Sequence, residues 1–188
     1  MQRANTGRQA RPRLNATLGI HKKTGESVIA MMKYFTLDDW IRDQDLELVD
    51  TDHIVRTINA YKCYLESIKP RLPEDIRRLL NEYCIHDGIL RDLQIDVQKA
   101  TVIMSIGAGD ITMKEGREIS LHYSGVTNMR STADPKRGFT GTKGYGDLGN
   151  DELELLENGL IEHRFLFSSG IQMLIRFRTF RLEEHKRW

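Results

Sequence analysis

Near the C-terminal end of the chain the apolar side chains keep one parity through two consecutive runs: Ile161, His163, Phe165 and Phe167, then Ile171, Met173, Ile175 and Phe177. Successive side chains of a strand point to opposite faces, so each run reads as a strand with one apolar face. Both runs are odd-numbered, and a hairpin preserves the face only if odd positions pair with odd. A three-residue loop does this: Ser168-Ser169-Gly170, with Gly170 in the left-handed position such loops favour. The register then sets Phe167 opposite Ile171, Phe165 opposite Met173 and His163 opposite Ile175. The same arithmetic joins Leu153 and Leu155 to the first run through Glu157-Asn158-Gly159, and places Glu162 opposite Arg176 on the outer face.

Upstream the period is helical. Ile54, Ile58, Tyr61, Leu65 and Ile68 step by four and three, one face of an amphipathic helix capped by Asp50 or Thr51 and ended by Pro70. Pro73 suits the first position of a second helix, with Glu74 and Asp75 complementing its dipole. Its stripe is Ile76, Leu79, Leu80, Tyr83 and Cys84, and Gly88 supplies its C-cap. Before both, Thr36 caps a short helix with Asp38 and Asp39 in the first turn, and Tyr34, Phe35 and Trp40 dock on the core.

After Gly88 the period falls to two. Leu93, Ile95 and Val97, then Val102, Met104 and Ile106, then Ile119, Leu121 and Tyr123 alternate with polar residues, three strands in meander order. An irregular stretch follows from Thr127 to about Asn150, with a Gly-rich loop at 131–150. The chain therefore reads as α+β, with N-terminal helices packed on an antiparallel meander sheet of about six strands.

The formal charge of +1 is a sum of unlike parts. Residues 1–30 hold six basic side chains and one acidic, with no periodicity, and read as a disordered basic leader, with a start codon assigned too far upstream as the favoured explanation. Residues 31–188, expected to form a single domain, carry 22 basic and 26 acidic residues, a net charge of −4. That balance makes nucleic acid an unfavoured partner. No apolar run suits a secretory signal or a membrane span, so a cytoplasmic location is expected. Cys63 and Cys84, placed on different helices, read as buried small apolar side chains.

Few residues carry chemistry. His163, on the apolar face between Leu153 and Ile175, reads as a satisfied core histidine whose partner is a helix carbonyl or the hydroxyl of Tyr61 or Tyr83. His86-Asp87 resembles on paper the pair of metal-dependent phosphohydrolases, but the following glycine and strand favour a helix-terminating role. Convergence of His86, His122, His163 and Glu162 would make a zinc site, yet by parity Glu162 points away from His163. Gly138 to Gly146 lacks the Lys-Ser/Thr and the helix of a phosphate-binding loop, so Lys143 and Tyr145 belong to a flexible insertion available for binding. Arg164, Arg176 and Arg178 with Glu162 read as a solvated, ion-paired face. Asp38, Asp39, Asp43, Asp45, Glu47, Asp50 and Asp52 form the densest acidic run, able to steer a basic partner.

The strings Met32-Lys33-Tyr34-Phe35-Thr36 with Trp40, Arg71-Leu72-Pro73, His86-Asp87, Tyr123-Ser124-Gly125-Val126 and Glu162 through Gly170 resemble a family of small bacterial proteins, the domain of unknown function numbered 4085. The resemblance spans residues 32–182, implies a start at Met31 or Met32 and brings no assigned activity. The Gly-rich stretch from Gly138 to Gly149 departs from the family pattern. Immunity proteins of bacterial toxin systems share the general look, an analogy of fold and size alone.

The expected function is a non-enzymatic protein-interaction module, immunity-like toward a basic toxin, using the mobile loop or the acidic positions and needing no cofactor. The alternatives are a metal-dependent hydrolase using His86, Asp87 and His122, and a small-molecule sensor with the Gly-rich loop as lid.

Overall fold

The computed structural model describes residues 31–45, 47–132 and 145–185. The basic leader, Lys143 and most of the Gly-rich stretch lie outside the described residues. The fold is α+β. Among the described residues three α-helices, α1 (Leu37–Asp43), α2 (Thr51–Ile68) and α3 (Glu74–Glu82), precede eight strands. These are β1 (Tyr83–Asp96), β2 (Thr101–Asp110), β3 (Gly116–Ser124), β4 (Asn128–Ser131), β5 (Leu148–Leu155), β6 (Ile161–Phe167), β7 (Gln172–Phe177) and β8 (Thr179–His185).

The strands make two antiparallel four-stranded sheets, β1-β2-β3-β8 and β4-β7-β6-β5, where one sheet of about six was expected. The division comes at Arg178, the one residue between β7 and β8: the chain leaves one sheet and enters the other, with Arg178 N–H donating to the Ser124 carbonyl. On the opposite side an isolated bridge from Ile89 to Asp147 brings β1 beside β5. One cluster of buried side chains lies between the sheets. Parity selects it: Val102, Met104 and Ile106 from β2, Ile119, Leu121 and Tyr123 from β3, Phe165 and Phe167 from β6, Met173, Ile175 and Phe177 from β7. Ile76 and Leu79 of α3 complete it.

The C-terminal hairpins adopt the expected registers. Phe165 faces Met173, His163 faces Ile175 and Leu153, and Glu162 faces Arg176. Gly159 and Gly170 both take positive φ, 78° and 81°. Thr36 caps α1 through the Asp39 N–H, and Asp50 caps α2 through the His53 N–H.

Other expectations fail for identifiable reasons. Tyr83 and Cys84 belong to β1, because α3 ends at Glu82 and the chain turns directly into strand. Gly88 is thus no helix cap. It sits in a β-bulge between Cys84 and Ile89, where Asp87 takes the left-handed φ of 59°. A Cβ on Gly88 would lie 2.6 Å from the Ile85 carbonyl oxygen, so close approach of backbone is what requires glycine there. Cys63 is exposed and Cys84 half-buried, contrary to the expectation of two buried thiols, because α2 lies at the periphery with only Ile68 buried. Ile95 and Val97 are exposed, since the end of β1 runs past the core. The stretch from Thr127 to Asn150 contains β4 and the start of β5, and Tyr145 packs edge-on against Phe167 with ring centroids 5.0 Å apart.

Two sheet edges are covered by side chains. Tyr61 and Tyr64 of α2 accept the Leu153 and Leu155 N–H groups of β5, at 2.8 and 3.1 Å, and Asp75 of α3 accepts the Leu182 N–H of β8. No helix among the described residues is long and apolar enough to cross a membrane.

The loop geometry makes a stability prediction. Gly170→Val forces a β-branched residue into positive φ and should cost about 1–3 kcal/mol in urea denaturation; an unchanged midpoint would contradict the left-handed position.

Candidate functional site

The outer face of β5-β6-β7 is largely buried, where a solvated face was expected. All seven residues of β6 are buried, and Glu152, Glu162 and Arg164 are at most 8% exposed. Charges removed from water need partners. Arg164 contacts Glu154 and Glu162, while Glu162 also accepts Arg176 Nε at 2.7 Å. Arg176 itself remains half-exposed. Glu152, 1% exposed, solves the same problem with backbone. Its carboxylate accepts three consecutive N–H groups, from Lys33, Tyr34 and Phe35, at 2.8, 2.6 and 2.7 Å. Lys33 Nζ adds an ion pair to Glu154 at 2.8 Å, which holds the Glu154 carboxyl below its ordinary value: burial raises it, and Lys33 and Arg164 together outweigh burial.

This tie fixes the strap of residues 31–35 against the sheet, and the strap positions α1. Tyr34 packs against Tyr61 and Tyr64 of α2, and Phe35 meets Tyr61 edge-on at 5.4 Å. The expected docking of the aromatics is thus onto α2 and β5 instead of the inter-sheet core. Trp40 lies over Gly149, where a Cβ would stand 2.8 Å from the indole. None of the seven residues of α1 is buried.

Between the strap, α1, the first turns of α2 and the starts of β1 and β5 lies a cleft of about 360 Å³. Tyr34, Phe35, Trp40, Ile54 and Ile58 give it apolar walls, and Asp39, Asp43, His53, His86 and Asn150 supply polar groups. Asp39 is held below its ordinary carboxylate value: burial raises it, while the Thr36 hydroxyl, His53 and the Arg42 charge outweigh burial. Arg42 spans both carboxylates, 2.8 Å from Asp39 Oδ1 and 3.3 Å from Asp43 Oδ1.

The remaining candidates separate. His86 does not cap a helix: its Nδ1–H donates to the Gly149 carbonyl across the β1–β5 junction, while Asp87 lies in the bulge, 3.6 Å away on the Nε2 side. His122 faces outward from β3 and pairs with Glu183 of β8 at 3.1 Å. Among the described residues no group of three or more His, Cys, Asp or Glu is placed to hold a metal ion. Asp38 and Asp45 are exposed, and Asp45 accepts the Glu47 N–H.

His163 is fully buried and satisfied, by partners other than those expected. Its Nε2–H donates to Asp151 at 3.1 Å, and in the neutral ring Nδ1 accepts from the Tyr123 hydroxyl at 2.9 Å. Tyr61 instead accepts the Leu153 N–H, and Tyr83 donates to Glu184. Burial, with the nearby Asp151 charge, pushes the Tyr123 phenol well above its ordinary value, so it stays a donor. Tyr123 was findable from sequence as the other polar-tipped residue of core parity. Glu152 and Asp151 left no sequence signal, because an acid on an edge strand ordinarily faces water.

No family model matches the chain, and no curated protein matches it.

Two variants test these contacts. Glu152→Ala should cost about 1–3 kcal/mol by leaving three N–H groups without their acceptor, and should shift Trp40 emission by loosening α1; a loss well below about 1 kcal/mol would mean that the strap is held otherwise. Tyr123→Phe removes only the donor to His163 and should cost about 1–3 kcal/mol in thermal or urea melts; a neutral effect would show that the ring nitrogen finds another partner.

Proposed function

We propose that this protein is a binding module without chemistry of its own, and that it takes a basic amphipathic segment of a protein partner on the α1–α2 surface. One observation carries the reading: five large apolar side chains, Ile41, Leu48, Val49, Val55 and Ile58, are between 38% and 60% exposed within residues 41–58, next to an apolar cleft. Exposed apolar residues concentrated in this way mark an interaction surface. The charge of the occupant follows from the acids that flank them, Asp38, Asp39, Asp43 and Asp45, on a body of net charge −4. Membership in the bacterial family of unknown function and an immunity-like role toward a basic toxin agree with this reading and belong to the proposal.

The hydrolase alternative has lost its support with the separation of His86 and Asp87 from His122. The sensor alternative keeps the cleft but rests its lid on residues outside those described.

The test uses Trp40 fluorescence in a Trp188→Phe background, titrated with a Leu/Lys amphipathic helical peptide of about 18 residues. A saturable change with a Kd in the micromolar range is expected, weakened at least about tenfold by Val55→Asp with Ile58→Asp and by added salt. Equal binding of a Leu/Glu peptide, or no binding of either, would overturn the proposal.

A further inference from the structure

The cleft is more specific than the surface around it. Its lining residues include two carboxylates and, among the described residues, no lysine or arginine. Its walls carry three aromatic rings, those of Tyr34, Phe35 and Trp40. The two carboxylates are unequal. Asp39 is engaged at both oxygens: Oδ2 accepts the Thr36 hydroxyl at 2.6 Å, and Oδ1 faces Arg42 and His53. Asp43 is engaged at one, since Oδ1 takes Arg42 at 3.3 Å, while Oδ2 has no polar partner among the described residues. A planar cation satisfies both halves of this site at once. A guanidinium stacks on aromatic faces and donates from its edge to a carboxylate, whereas a compact, strongly hydrated ammonium does only the second well.

We infer that the α1–α2 cleft is an anchor pocket for one arginine side chain of the partner, its guanidinium stacked on the cleft's aromatic rings and donating to Asp43 Oδ2. This rests on the binding-module reading and names the residue by which the partner is gripped. Lysines elsewhere on the partner segment act at the rim, where charge sets association rate more than affinity.

The experiment compares peptides differing only at one central position, arginine or its neutral isostere citrulline, on the full chain. Wild-type protein should bind the arginine peptide about tenfold more tightly. Asp43→Asn should abolish that difference while still binding both peptides through the apolar surface. Glu157→Gln, at an exposed acid of the β5–β6 loop outside the cleft and the docking surface, should preserve the difference. Equal binding of the two peptides to wild type, or an undiminished difference in Asp43→Asn, would overturn the anchor.

Propylguanidinium, followed by the NMR shift of the Trp40 indole N–H, separates this inference from the wider reading. If the peptides bind equally and propylguanidinium gives no shift, the docking surface stands and the guanidinium anchor falls. If propylguanidinium binds more tightly than the arginine peptide, the pocket serves a free small molecule and the partner anchor is overturned. If neither binds, both fall.

Discussion

Sheet β4-β7-β6-β5 is buried on its inner face and, along β6 and at Glu152, on its outer face as well, and much of the molecule follows from that constraint. Its inner face is apolar and packs against the other sheet; its outer face carries Glu152, Glu162, Arg164 and Arg176. An ionised group taken out of water costs several kcal/mol unless paired, so the outer face has to be internally neutralised. Arg164 and Arg176 do this for Glu162. Glu152 is served by the strap, whose three N–H groups converge on one carboxylate as they would on a bound anion. The strap is consequently fixed by electrostatics at β5, and α1 inherits its position from the strap.

The same sheet also decides the role of α2. A sheet edge with free N–H groups invites pairing with another chain. Here the hydroxyls of Tyr61 and Tyr64 occupy the β5 edge, so the C-terminal half of α2 is committed to covering it. The N-terminal half, with Val55 and Ile58 exposed, has no such task. One amphipathic helix thus does two things along its length, and the uncovered part is where the cleft opens.

What could be read from the sequence divides along physical lines. Parity is local and unforgiving, so the β5-β6-β7 registers and the left-handed Gly170 were legible, as was the Thr36 cap, while the α2 cap was narrowed to Asp50 or Thr51. The separation into two sheets was not, because it depends on a single residue, Arg178, at which the chain changes sheet. Tyr83 and Cys84 continue the stripe of α3 at helical spacing, and only tertiary pairing with β2 makes them strand. The outer-face charges misled because alternation cannot tell a face covered by water from one covered by protein. At the site, the acidic run was visible but the use of Asp39 and Asp43 was not: Asp39 is engaged at both oxygens and Asp43 Oδ2 has no polar partner among the described residues, which follows from side-chain geometry that no spacing encodes.

The cleft's adaptability follows from how its walls are held. A wall formed by a buried element is fixed by packing, and shifting it costs the burial of its apolar face. The floor here is of that kind, built on the starts of β1 and β5. The α1 wall is not, since none of its residues is buried and its attachment runs through the strap, Trp40 on Gly149 and the Asp39–His53 contact. Elements with little buried surface open at low free energy while the core stays closed. The cleft therefore combines a packed base with one wall that can adjust to an occupant, and Asp43, whose Oδ2 has no polar partner among the described residues, sits on that wall.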